Sequence, residues 1–161
     1  DLWRSQNLTE IKSYGAELQF EADVNKLLSG YGPDNVNLGY YFNSQFKNES
    51  DFISYYVLDY LKNKFVFSIN QNITPVIFIN FRGSYLDRAG TYSAYINNGT
   101  SVEKPYLPFW LFDLKAMYQS SSMKVHFSIN NIFNKKYFDI GNIIQPGIWI
   151  KAGFSYKLNF K

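Results

Sequence analysis

Read at every second position, residues 148–160 are apolar throughout: Ile148, Ile150, Ala152, Phe154, Tyr156, Leu158 and Phe160. Between them stand Lys151, Gly153, Ser155, Lys157 and Asn159, all small or polar, with Trp149 the one exception. Successive side chains leave a pleated strand on opposite faces, so a period of two predicts a strand with one apolar face. The run outlasts an ordinary globular strand of about 5–6 residues. It suits a tilted strand crossing a bilayer, which needs about 9–11 residues. Where such a chain sits therefore constrains it more than any catalytic motif.

The alternation recurs. In 14–24 the apolar set is Tyr14, Ala16, Leu18, Phe20, Ala22 and Val24, and in 36–45 it is Val36, Leu38, Tyr40 and Phe42. Ile77, Ile79, Phe81 and Tyr85 form a third set; Trp110, Phe112, Leu114, Ala116 and Tyr118 a fourth; Met123, Val125, Phe127 and Ile129 a fifth. Stretch 55–70 is less clean, since Leu61, Phe65, Phe67 and Ile69 would share a face with Asp59 and Asn63. Those two polar residues are placed near a membrane rim, because a lipid-facing charge at the midplane is costly. The sum is about seven long strands and almost no helix signal. Aromatic residues at 20% favour strands and interfaces.

The connections alternate in length. Residues 70–74 and 119–122 are short and 27–35 moderate, whereas 45–54, 87–106 and 133–147 are long. Short turns at one end and long loops at the other describe an outer-membrane barrel with periplasmic turns and extracellular loops. If the last strand runs inward, Tyr14, Phe42, Tyr85 and Trp110 fall near the outer rim, with Tyr118, Tyr156 and Phe160 near the inner one. A soluble sandwich or a lipocalin-like barrel is the alternative, with apolar faces turned inward; strand length and loop asymmetry argue against it. No apolar run approaches the ~18 residues of a transmembrane helix. There is no cysteine for disulfides or thiolate metal sites, and the net charge of +3 is scattered rather than gathered into a nucleic-acid patch. Asp1 opens without an initiator Met or a signal peptide, so the chain reads as a mature or cut piece of something longer.

The segment Ile129-Asn130-Asn131-Ile132-Phe133-Asn134-Lys135-Lys136-Tyr137 resembles the penultimate-strand motif of TonB-dependent outer-membrane transporters, Asn-Leu-Phe-Asn/Asp-x-x-Tyr. Gln145-Pro146-Gly147 and a closing alternating strand follow it, as in that family. Upstream, Ser13-Tyr14-Gly15-Ala16-Glu17-Leu18 is similar to the family's Gly-x-Glu strand, and Tyr60-Leu61-Lys62-Asn63-Lys64 to its Tyr-x-x-His-Lys strand entry. Ile132 replaces the usual Leu, Ile148 stands where Arg is common, and Lys161 follows the terminal aromatic. The resemblance implies an all-β fold: an antiparallel transmembrane β-barrel of about 22 strands around a plug. Residues 1–161 would supply about seven C-terminal strands of that barrel domain, without plug or N-terminal strands. An open strand edge in lipid leaves backbone groups unpaired, so the segment would need completing by the rest of its protein.

The implied function is active import of a scarce, large nutrient such as a siderophore, cobalamin or a glycan. Its partners would be the remainder of the barrel and its plug, outer-membrane lipid, an inner-membrane energy-coupling protein, and a surface lipoprotein. The stretch from Asp139-Ile140-Gly141-Asn142 to Gln145-Pro146-Gly147-Ile148-Trp149 is similar to cobalamin-transporter members. Loop 87–106 is the candidate substrate-binding loop through Arg88, Tyr92, Tyr95, Asn97 and Asn98, since Tyr gives amphipathic contact area and Asn adaptable hydrogen bonds. The alternative is a loop that merely folds over the barrel top. Arg82, Asp113, Lys115, Lys124, His126 and Lys151 are expected to face the lumen, either as a basic path or paired across strands, as Asp113 with Lys124.

An enzyme is the rival class. His126, Ser128 and Asn130 share a strand face, but neighbours two apart lie about 6–7 Å from one another, too far for a nucleophile and its base. His126 is also the only histidine, which excludes a His-rich metal site, and no cofactor is expected. The Asn-x-Ser/Thr matches at Asn7, Asn48, Asn72 and Asn98 are frequent chance events in so Asn-rich a chain. A passive outer-membrane pore or a small adhesion-type barrel stays open beside active transport.

Overall fold

The computed structural model describes residues 11–28, 32–47, 60–95 and 100–158. Its frame is an antiparallel sheet of β1 (Ile11–Ala22), β2 (Asn35–Lys47), β3 (Leu61–Thr74), β4 (Ile77–Arg88), β7 (Phe109–Gln119), β8 (Met123–Asn130) and β11 (Trp149–Tyr156), adjacent in that order. Two small hairpins stand apart from it: β5 (Thr91–Tyr95) with β6 (Ser101–Pro105), and β9 (Phe138–Ile140) with β10 (Ile143–Ile144). The one described helix, α1 (Val24–Leu27), is a single turn. No described helix is long and apolar enough to cross a membrane.

Register carries the alternation of each strand into its neighbour. Leu38 lies opposite both Phe20 and Phe67, Phe81 opposite Leu114, Leu114 opposite Ile129, and Ile129 opposite Ile150. One face is thus apolar from β1 to β11, and Ile79, Leu114, Phe127 and Phe154 all stand on it. Arg82, Lys115, His126 and Ser155 stand on the other. Nothing covers the apolar face among the described residues: Leu18 is 71% exposed and Phe154 66%. What order it has comes from rings packed on each other. Phe81 stacks on Phe112 (5.9 Å between centroids) and Phe112 on Trp110 (5.8 Å), while Phe67 spreads over Gly83, where an added Cβ would lie 2.2 Å from the ring. β1 and β11 bound the sheet and do not pair with each other among the described residues, so no closed barrel is seen.

Several boundaries depart from the sequence expectation for local reasons. The first strand stops at Ala22 rather than continuing to Val24, because Asp23 accepts the Lys26 backbone N–H (3.1 Å) and turns the chain into α1. Residues 70–74 are strand, not connection; the turn is Pro75-Val76, with Thr74 Oγ1 accepting from the Ile77 amide at 3.0 Å. A bulge between Leu61 and Asn63 takes Leu61 opposite Arg88 instead of onto the Asn63 face. Asn63 remains on the apolar face, held by Tyr40 Oη–H to its Oδ1 (2.8 Å) and by its own Nδ2–H to Asp87 (2.8 Å). Asp59 and Phe160 lie outside the described residues.

Candidate functional site

Two of the long connections, 87–106 and 133–147, fold together into a cap at one end of the sheet. Gly90, at φ 93°, turns the chain out of β4 into the β5–β6 hairpin, whose Tyr92 ring packs on Tyr106 and on Phe138 (both 5.1 Å). Arg88, at the end of β4, donates through Nη2 (2.8 Å) and Nε (3.2 Å) to Asp139 Oδ1. Both partners of this ion pair are largely covered, at 19% and 32% side-chain exposure. The guanidinium also lies over the Tyr106 ring at 5.8 Å, and the Tyr106 hydroxyl accepts from the Gly141 amide (2.8 Å). Gly141 has φ 54°, a left-handed turn suited to glycine. Between the two hairpins lies an open cleft of about 690 Å³, lined by Arg88, Tyr92, Tyr95, Tyr106, Asp139 and Ile143 among others.

The cap is tied to the sheet by Asn131, at 5% exposure the most buried polar residue described. In left-handed conformation (φ 51°) it donates its amide to Asp113 Oδ1 (2.9 Å), while its side chain accepts from Lys135 N–H (2.8 Å) and donates to Lys135 O (2.8 Å). Asn134 repeats the device: its Oδ1 accepts from Ile148 N–H (3.0 Å) and lies 2.1 Å from where a Cβ on Gly147 would stand. The asparagines of the penultimate-strand motif thus act here as side-chain clamps that return the last loop to β11. A propensity reading gives only "turn" for such residues.

Every lumen candidate lies on the polar face. Arg82 is directly opposite Asp113, Lys115 opposite Asn80 and Ser128, Lys124 opposite Gln119 and Ser155, His126 opposite Met117 and Gly153, and Lys151 opposite Ser128. The expected Asp113–Lys124 pair does not form, because register sets Lys124 beside Gln119, six positions along β7 from Asp113. Asp113 turns instead to the Asn131 amide. Further toward β1 the face carries an amide ladder: Asn80 donates to Asn70 (2.7 Å), Asn70 to Asn35 (3.3 Å), and Asn35 to Glu21 (2.8 Å). The Asn130 Oδ1, on the same face, is buried without a hydrogen-bond partner. No group of three His, Cys, Asp or Glu side chains suited to a metal ion occurs among the described residues.

Outside the sheet, Asp23 and Lys26 shift each other's pKa as an ion pair, and Asp34 and Tyr137 are displaced as well. The Asn72 backbone N–H, then the Asn25 amide, hold Asp34 below the usual carboxylate range, and this ties the 27–35 turn to the end of β3. Tyr137 is pushed above the usual phenol value, first by burial and then by the charges of Asp139 and Asp113.

Of the predicted substrate residues, the fold brings Arg88, Tyr92 and Tyr95 to one cleft; Asn97 and Asn98 lie outside the described residues. Missed by sequence reasoning were Tyr106 and the loop of 139–143, which complete it. Asp139 is 51 positions from Arg88, and no local pattern announces that pairing.

No protein-family model matches the chain, and no curated protein does either. Among solved structures it is similar to the FrpB iron transporter from Neisseria meningitidis (F3-3 variant), with a TM-score of 0.67 at 19% identity. The match covers 91% of this chain and 24% of that one, so this chain spans about a quarter of the transporter's length and shares the fold of that portion.

Proposed function

We propose that residues 1–161 are C-terminal wall of the β-barrel domain of an outer-membrane transporter that imports a scarce, large nutrient (a siderophore, cobalamin or a glycan) with energy supplied from the inner membrane. One observation carries this reading: a seven-stranded sheet with one face apolar from edge to edge, the other polar, and no second layer over the apolar side among the described residues. In water such a face forfeits about 25 cal/mol for every Å² left uncovered. Lipid supplies the missing layer. The two open edges call for further strands, since unpaired backbone groups in hydrocarbon cost several kcal/mol each. Arg82, Asp113, Lys115, Lys124, His126 and Lys151 then line the lumen, where a plug domain and bound water meet their charges. The inner-membrane coupling protein acts on that plug, and a surface lipoprotein fits over the cap. Against an enzyme stands the His126 ring, which lies over Gly153 rather than in a hydroxyl-activating array.

The test is uptake by cells producing the complete protein. Uptake that collapses when a protonophore discharges the inner membrane supports the proposal; uptake that persists identifies a passive pore and overturns it. A second arm refolds residues 1–161 alone in detergent. A protease-resistant, heat-modifiable monomer with β1 hydrogen-bonded to β11 overturns the wall-segment reading, whereas aggregation supports it.

A further inference from the structure

We infer that the cleft between the β5–β6 and β9–β10 hairpins takes an uncharged, polyhydroxylated ligand, a neutral oligosaccharide, seated against the Tyr95 ring. The inference deepens the transport proposal and rests on it for the direction from which ligand arrives. The first ground is charge. Among the described residues, Arg88 and Asp139 are the only ionised groups lining the cleft, and they are engaged with each other, with the guanidinium further placed over Tyr106. An anionic ligand entering here would shed its hydration and find no uncommitted cation, which is the costly way to bind a charge.

The second ground is shape and chemistry. A volume of about 690 Å³ lies within the ordinary range of ligand sites. Tyr92 is already sandwiched by Tyr106 and Phe138, but Tyr95 stands 74% exposed at the cleft mouth, an aromatic face without a stacking partner among the described residues. Such a ring takes the flat C–H face of a pyranose, and its hydroxyl serves the ligand's own hydroxyls. The third ground is the rim. Thr91 and Ser93 both give their hydroxyl protons to Glu103, the Ser93 bond measuring 3.1 Å, so what they offer a ligand is acceptor lone pairs. Asn142 adds both donor and acceptor. Acceptors around an aromatic floor, with no uncommitted cation among the described residues, select hydroxyl donors.

The experiment uses outer-membrane vesicles carrying the complete protein. The probes are labelled neutral gluco-, manno-, xylo- and galacto-oligosaccharides, with ferric tris-catecholate as an anionic chelate and cyanocobalamin as a large non-carbohydrate. The expected result is saturable binding of one oligosaccharide series, unchanged from low to high salt because no net charge is engaged. Tyr95→Ala weakens it about ten-fold, the scale of one aromatic contact, and Tyr95→Phe restores most of it. Binding of no oligosaccharide, binding insensitive to Tyr95→Ala, or preference for either comparator overturns the inference. The two proposals fail separately. Energy-dependent uptake of a charged ligand removes the oligosaccharide and leaves transport standing; oligosaccharide bound at this cleft but never accumulated does the reverse.

Discussion

The cap and the wall of this molecule treat apolar residues in opposite ways. Ala94, Tyr106 and Phe109, the buried hydrophobic residues among those described, sit in the cap or at its junction with β7, each at 7% exposure or less. The cap and its junction thus hold what buried apolar core the described residues have. The wall, several times larger, has none among the described residues: Phe127, Phe154, Leu18 and Phe20 are exposed on strands that pair in continuous antiparallel register with their neighbours. Such a sheet, regular yet bare on one side, fits the lipid setting proposed above.

The largest effect that breaks or sharpens this contrast comes from an arginine placed on each side of it. Phe127→Arg is expected to cost about 2–4 kcal/mol in a bilayer if that site lies near the midplane. Ile143→Arg in the cap should stay within about 0.5 kcal/mol, as an ordinary surface change does. Exposure to water alone predicts small costs at both sites, since Ile143 is 62% exposed and Phe127 42%. Unfolding from vesicles by denaturant compares them, and equal small costs would dissolve the distinction.

Next in size is the tie between the two regions. Asn131→Ala removes three side-chain hydrogen bonds and leaves Ala in a left-handed position, a loss of about 2–3 kcal/mol. Limited proteolysis should then cut within 133–147 while the strands stay protected; cleavage spread evenly over sheet and loop would mean that cap and wall fold as one unit. Within the wall, Gly83→Val drives a side chain into the Phe67 ring and should cost about 1–3 kcal/mol, visible as lost near-ultraviolet aromatic signal.

The smallest effects are in pH, and they differ in sign at the two ends. Asp34 has a depressed pKa in the fold, so its contribution is present above the ordinary carboxylate value and is lost as pH falls through the depressed one. Protection of the Asn72 amide, measured against its intrinsic exchange rate, should fall only in acid. Tyr137 is raised, so its contribution holds below the usual phenol value and is lost as pH climbs through the raised one. Its ultraviolet titration, isolated by Tyr137→Phe, should lag behind that of free tyrosine. A normal midpoint would place Tyr137 in water.

Most of the wall was legible beforehand. The expected stretch Met123 to Ile129 falls within β8, Trp110 to Tyr118 within β7, and Ile77 to Tyr85 within β4, because a period of two survives wherever pleat and solvent agree. It failed at Leu61, where a bulge shifts phase without any compositional mark, and at Val24, where the Asp23 cap overrides an apolar side chain. The cap was legible only in part. Tyrosine and asparagine enrichment marked the loop, but the hairpins inside it and its closure by Asp139 depend on contacts across long separations. The clamp at Asn131 was visible as a motif and opaque as a mechanism, since nothing in an Asn-Asn pair says which carbonyl it will hold.

In the proposed membrane setting, the hydrogen-bonded chain Tyr40–Asn63–Asp87 makes a ruler. It is polar structure on the apolar side, and hydrocarbon cannot comfortably rise past it. From Asp87 down β4 to Ile77 are ten residue steps, about 33 Å along the strand and about 25 Å along the membrane normal at a tilt near 40°. A leaflet pair of that depth is a thin membrane, thinner than the ~30 Å average. Placed in vesicles of graded acyl length, the complete protein should insert and fold fastest in the short-chain lipids, so the wall carries its own address in ångströms.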